Sequence, residues 1–193
     1  MTANVSDLIR RHRTGDTTAG PAIVRAYLPV VRSLALAGTL DPTRAAEVTG
    51  RVLGRLLSRA GEARDASRLL ALAEEGARDE VRQEVKGSGG RRAYLLTLAD
   101  SPAARPSGPG MRLPEVLGGH PTDRTAWMLL EAASFLPAHS QAMFLLRYLE
   151  GLGYPEIADL AGVSAREVGA AIGAARRLFE RELDLYLRKL AKP

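Results

Sequence analysis

The residues best placed to do chemistry are three guanidinium groups near the carboxy-terminal end, Arg166, Arg176 and Arg177, with the hydroxyl of Ser164 just ahead of them. Donors of this kind set along one helix hold phosphate oxygens and read base edges, which is recognition of nucleic acid and not bond-making. The other reactive types stand without companions. His12, His120 and His139 are far apart and have no neighbour at ligand spacing, so they read as solvated or capping histidines. The chain has no cysteine, which excludes disulfides and thiolate metal sites and fits a reducing cytoplasm. Glu74 and Glu75 are adjacent on a helical stretch, point in different directions, and read as a solvated face. The glycine-rich stretches lack the Lys and Ser or Thr that end a phosphate-binding loop. Neither an enzyme nor a metal or cofactor is expected.

Recognition from a helix requires that helix to be held at a fixed angle, and the stretch from Leu136 to Leu187 has the parts to do it. Leu136 and Pro137 open a helix whose apolar positions Met143, Leu145, Leu146 and Leu149 recur at helical spacing, and Gly151 and Gly153 stop it. A short second helix follows over residues 154–161, with Pro155 near its first position and Ile157 and Leu160 facing inward. Gly162, Val163 and Ser164 then form a turn. Glycine takes the left-handed backbone that ends a helix, Val163 plugs the corner, and Ser164 with Glu167 three residues on forms a capping box for the next helix. That third helix runs from about Ala165 toward Leu187 and buries Val168, Ile172, Ala175 and Leu178. The arrangement is a helix-turn-helix, whose second helix enters a major groove.

These residues also carry a family resemblance. Leu136, Pro137, Leu146, Arg147, Tyr148, Glu150, Gly151, Glu156, Ile157, Ala158, Gly162, Val163 and Val168 follow a pattern similar to the fourth region of bacterial sigma factors of the extracytoplasmic-function class. The resemblance implies that this part holds the upstream promoter element, with Ser164, Arg166, Arg176 and Arg177 on the DNA side. The amino-terminal half resembles the family's second region: Asp7 to Asp16, then Ala22, Tyr27, Pro29, Val31, Leu34 and Ala35, then a helix begun by Asp41 and Pro42 that keeps its apolar beat through Ala45, Val48, Val52, Leu53 and Leu56. By resemblance this half grips the RNA polymerase core, through Glu47, Arg51 and Arg55.

The chain also departs from the family. Two acids followed by Gln and Glu are usual near Glu47, where this chain has Gly50 and Arg51. Two registers compete for the melting segment: Arg68 to Arg82, favoured on spacing although it puts Glu74 and Glu75 where Arg and Asn belong, and Arg92 to Ala99, a better local match after an insertion. Melting traps bases on aromatic platforms, each stack contributing roughly 1–3 kcal/mol. Between Met1 and Gln83 the one aromatic is Tyr27, so such a platform falls to Tyr94 or to nothing. In the recognition helix, Gly169, Ala170, Ala171, Gly173 and Ala174 replace the family's polar readers. Helix-interior glycines cost about 1 kcal/mol each relative to alanine. A face built of Gly169, Ala170, Gly173 and Ala174 admits close approach of another helix and marks a protein-contact surface.

Charge and composition bound the rest. The 193 residues carry 27 Lys plus Arg and 22 Asp plus Glu, net +5, yet residues 126–193 hold 8 of each sign. The helix-turn-helix module is therefore neutral, although phosphate neutralisation dominates affinity in most DNA complexes. Any grip it has on DNA is expected to be weak alone and to need help. At 46% hydrophobic residues the chain can bury one or two small cores, and the break near its middle favours two. Trp127, Leu130 and Phe135 are expected in the second. No apolar run approaches the ~20 residues of a membrane span, no signal peptide is evident, and no β alternation is present. The expected fold is all-α: a second-region-like helical domain over residues 1–100, a Pro/Gly-rich linker over 101–123, and a helix-turn-helix domain over 124–193. Two functions compete. One is a cytoplasmic sigma-like factor that binds polymerase core and promoter DNA, with an anti-sigma or other protein as a further partner. The other is an interaction module on the sigma scaffold that binds a protein, such as a sigma factor, and has lost promoter reading.

Overall fold

The computed structural model describes residues 4–87, Ala133 and 136–190, and every element among them is helical. The expected linker, Tyr94, the second melting register, Trp127, Leu130 and Phe135 lie outside the described residues. Local chemistry explains where the helices begin. Asn4 caps α1 (Val5–Arg13) through its side chain, which accepts the Ser6 backbone N–H at 2.9 Å. Between α1 and α2 (Ala19–Thr39), Asp16 accepts hydrogen bonds from the Thr18 hydroxyl, the Thr18 backbone and Arg11, which together hold its carboxyl at about 2. Asp41, in extended conformation, caps α3 (Pro42–Arg59) by accepting from Thr43 and Arg44 at 2.9 and 3.1 Å, with Pro42 in the first turn as expected. A 3-10 turn (Ala60–Glu62) leads toward α4 (Ala66–Gly87), which ends at the start of the glycine-rich break.

In the carboxy-terminal half, α5 (Ala138–Tyr148), α6 (Tyr154–Ala161) and α7 (Ala165–Leu190) form the anticipated trio. Tilted rings tie α5 to α7: Phe144 lies 5.0 Å from Phe179 between centroids, and 4.6 Å from Tyr148 on its own helix. Met143, Leu145, Leu146, Ile157, Val168, Ile172 and Ala175 are buried there, and Leu149 and Leu178 are half-buried. In the amino-terminal half Ile23, Tyr27, Val30, Val48, Val52, Leu56, Leu69 and Leu70 are buried. The apolar interiors of the two halves are continuous, where sequence favoured two separate cores. The reason is α2, whose apolar residues are spread around much of the helix and pack against α1, α3, α4 and α5. By length and composition alone α2 could cross a membrane, but Arg25 and Arg32 interrupt its apolar run and half of its most apolar window is buried inside the protein. Gly38 lets α4 close on it, since a Cβ there would lie 2.6 Å from Val81.

An ionic lock joins α3 to α4. Glu80 is buried, and its carboxylate meets Arg51 Nε at 2.6 Å and Arg55 on its other oxygen; Arg51 also reaches Glu84 at 3.0 Å. The hydrogen bonds that Arg51 donates to Glu80 and Glu84 raise its guanidinium above its ordinary value. The asymmetry of exposure decides what each deletion costs: the arginines are largely solvated, so losing Glu80 strands little, whereas losing both arginines strands a buried carboxylate. Arg51→Met with Arg55→Met should destabilise the protein by about 3 kcal/mol in urea unfolding, and Glu80→Gln by about 1 kcal/mol. The reverse order would show that the lock works otherwise.

Candidate nucleic-acid interface

The turn between α6 and α7 has the anticipated backbone. Gly162 ends α6 in the left-handed region at φ 65°, and its N–H donates to the Ala158 carbonyl. The Ser164–Glu167 capping box is formed: Glu167 Oε2 accepts the Ser164 N–H at 2.7 Å and Ser164 Oγ accepts the Glu167 N–H at 3.2 Å. The bonds with Ser164 hold the Glu167 carboxyl below the usual glutamate value. A similar reach by Glu156 to the Gly153 N–H, at 2.7 Å, fixes the start of α6.

Of the DNA-side residues, Ser164, Arg166, Arg176 and Arg177 are all exposed. Ser164 is engaged as a cap. Arg176 pairs with Glu180 at 2.8 Å on the same helix, a contact between two solvated groups that contributes little. Among the described residues Arg166 and Arg177 have no hydrogen-bond or ionic partner. The small-residue positions do not form one open face: Gly169 is half-buried with the Tyr154 ring 3.5 Å from where a Cβ would sit, Gly173 and Ala174 are half-buried, and Ala170 is exposed. Glu47, Arg51 and Arg55 share one exposed side of α3, but the two arginines are engaged with Glu80.

What sequence reasoning missed is the seam that seats the helix-turn-helix on the other half. The last carbonyls of any helix lack partners inside it. Here the Tyr27 hydroxyl lies 2.9 Å from the Leu160 carbonyl and 3.2 Å from that of Ala66, and Ser67 Oγ donates to the Ala161 carbonyl at 2.8 Å. Tyr27, the one aromatic residue between Met1 and Gln83, is wholly buried. Burial, then the nearby Asp159 and Asp65, push its phenol far above the ordinary tyrosine value. Glu150, in the acidic-Gly turn after α5, pairs with Arg32, and Ser33 Oγ lies 2.7 Å from its Oε1. Beside the seam a cavity of about 430 Å³ is lined by Leu8, Ala26, Pro29 and Leu160, with Arg25 and Asp159 among its polar residues.

Glu74 corrects the reading of a solvated Glu74–Glu75 face. Glu75 is exposed, but Glu74 is buried, and His139 on α5 approaches it at 3.5 Å. Adjacent helical residues diverge by about 100°, so one of two neighbours can face the seam while the other faces water. Burial raises the Glu74 carboxyl above its ordinary value, opposed by His139 and Arg78 and assisted by Glu75. No spacing rule pairs residues on different halves, and a His placed at a helix start was the one available signal.

Residues 127–179 match the family described as sigma-70, region 4. That bears out the resemblance read from Leu136 to Val168. No curated protein matches the chain. Ten chains of solved structures match it, among them one described as the structure of CnrH in complex with the cytosolic domain of CnrY, at 19% identity and a TM-score of 0.48, covering 95% of this chain and 99% of that one.

Two outcomes follow from how region 4 is seated. Tyr27→Phe leaves the Leu160 carbonyl without its partner and should cost about 1–2 kcal/mol by thermal or urea unfolding, while a cost near zero would show that the hydroxyl bond is idle. The folded Glu74 carboxyl holds its proton more tightly than the unfolded one, so its contribution to stability is complete below pH 4.5 and is lost as pH rises through the raised value. Glu74→Gln should therefore stabilise the protein at neutral pH, with the gain fading toward pH 4.5; a gain that grows with acid would contradict this.

Proposed function

We propose that this protein is a sigma-like transcription factor of the extracytoplasmic-function type, acting in the cytoplasm, with an amino-terminal half that docks on RNA polymerase core and a region 4 that holds promoter DNA. The observation that carries the reading is the helix-turn-helix inside the region 4 match, with its turn geometry intact and Ser164, Arg166 and Arg177 exposed on α7. Its work is positional binding, and no catalytic step is assigned. Arg166 and Arg177, which have no partners among the described residues, are the first candidates for phosphate or base contact, ahead of Arg176. On the polymerase side Glu47 is exposed, with Arg51 4.0 Å away, and Arg51 and Arg55 present the outer edges of their lock. The domain limits of residues 1–100, 101–123 and 124–193 belong to this proposal.

A specific observation also favours the second reading, a sigma-scaffold module that binds a protein such as a sigma factor or an anti-sigma factor. Where the resembling family carries polar readers, α7 has Gly169, Ala170, Gly173 and Ala174, which offer no side-chain donor. Under the first reading, purified protein with core polymerase starts transcripts from a genomic promoter, and Arg166→Ala with Arg177→Ala weakens duplex binding by about tenfold or more. Failure to bind core polymerase or DNA at low salt, together with recovery of one specific protein partner, would establish the second.

A further inference from the structure

The cations that region 4 lacks stand beside it on the other half of the protein. Gly162 lies so close to the start of α4 that a Cβ there would come within 2.8 Å of the Ser67 backbone nitrogen, and Ser67 Oγ bonds to the carbonyl just before it. Arg64 precedes Ser67 by three residues and Arg68 follows it directly; both are exposed. Among the described residues the Arg64 guanidinium has no partner. That of Arg68 meets Glu75 at 3.7 Å, each side chain being 50% exposed, which is a loose contact that phosphate can displace.

Two carboxylates of the same neighbourhood are committed to backbone: Asp65 accepts the Arg68 N–H at 2.8 Å, and Glu167 accepts the Ser164 N–H at 2.7 Å. Each accepts there through one oxygen and keeps its charge, so Arg64 and Arg68 are the side chains of this corner that can donate to phosphate. In a helix-turn-helix the recognition helix begins in the groove, so the turn before it lies at the groove edge, next to the sugar-phosphate strand. Whatever packs on that turn is brought to the phosphates.

We infer that α4 and α7 form one composite surface for duplex DNA, in which Arg64 and Arg68 hold backbone phosphates flanking the groove faced by Ser164 and Arg166. The inference rests on the proposed reading that α7 meets DNA, and goes beyond it by assigning phosphate contacts to the amino-terminal half. The seam is what makes the surface: the Tyr27 and Ser67 hydroxyls hold α6 and its turn against the start of α4. Because phosphate contacts carry no sequence information, these arginines set affinity and orientation, not promoter choice.

The test measures binding of the full chain to a mixed-sequence duplex by fluorescence anisotropy over a range of salt. Arg64→Ala with Arg68→Ala should reduce the slope of log affinity against log salt by about 2, with thermal unfolding unchanged. Opening the seam with Gly162→Ala, or with Tyr27→Phe should the first fail to fold, should reduce the slope by a similar amount and make the arginine substitutions silent in that background. An unchanged slope in the Arg64 and Arg68 variant, with a reduced slope for Arg166→Ala and Arg177→Ala, would overturn the composite surface and leave the proposed function standing. Weaker polymerase binding at an unchanged slope would also overturn it, by showing that the pair meets a protein. A parent chain that does not bind duplex DNA at low salt would overturn the composite surface, and the proposed function with it only if core polymerase is not bound either.

Discussion

The carbonyl oxygens that end α6 must find donors, and this protein finds them on another part of the chain. An isolated helix-turn-helix leaves such groups to water or to its own turn. Here Tyr27 and Ser67 reach Leu160 and Ala161, and the turn glycine is pressed against the backbone of α4. A buried carbonyl left without a donor costs about 1–3 kcal/mol, so the two hydroxyls fix where region 4 sits as well as how firmly. Arg32 and Ser33 on Glu150 repeat the arrangement at the other end of the same module. The apolar contacts between α2 and α5 and between α4 and α6 make the seam adhesive; the polar ones make it specific.

Electrostatics in this chain is spent on structure before it is available for partners. Glu80 holds Arg51 and Arg55, Asp16 holds Arg11, and Glu180 meets Arg176. A count of Lys and Arg therefore overstates the cations offered to DNA, and a motif match overstates those offered to polymerase. The arginines without partners among the described residues, notably Arg64, Arg166 and Arg177, are the ones on which a functional reading can rest. Glu74 shows the cost of the seam: a carboxylate taken out of water with a half-exposed histidine beside it is a weak point in an otherwise apolar join.

The parts of the fold legible in the sequence are those decided within about four residues. Asp41 and Pro42 announced α3, Pro155 and Gly162 bracketed α6, and Ser164 with Glu167 announced α7 within the limits observed, because caps, left-handed glycines and apolar spacing are local physics. The candidate contact residues on α7 were legible for the same reason. Their availability was not: nothing local tells Arg176, which pairs with Glu180, from Arg177, which does not.

By itself the sequence determined an all-α chain with a helix-turn-helix that resembles sigma-70 region 4 and whose last helix is poor in donors. Only the tertiary structure decided that Tyr27 is a buried strut, that Glu74 is buried while Glu75 is not, and that Arg64 and Arg68 neighbour the turn. The partners concerned are 94 and 133 residues apart at the seam. Over such separations no periodicity survives, and contact is settled by how α2 and α4 present their surfaces once the whole chain has packed.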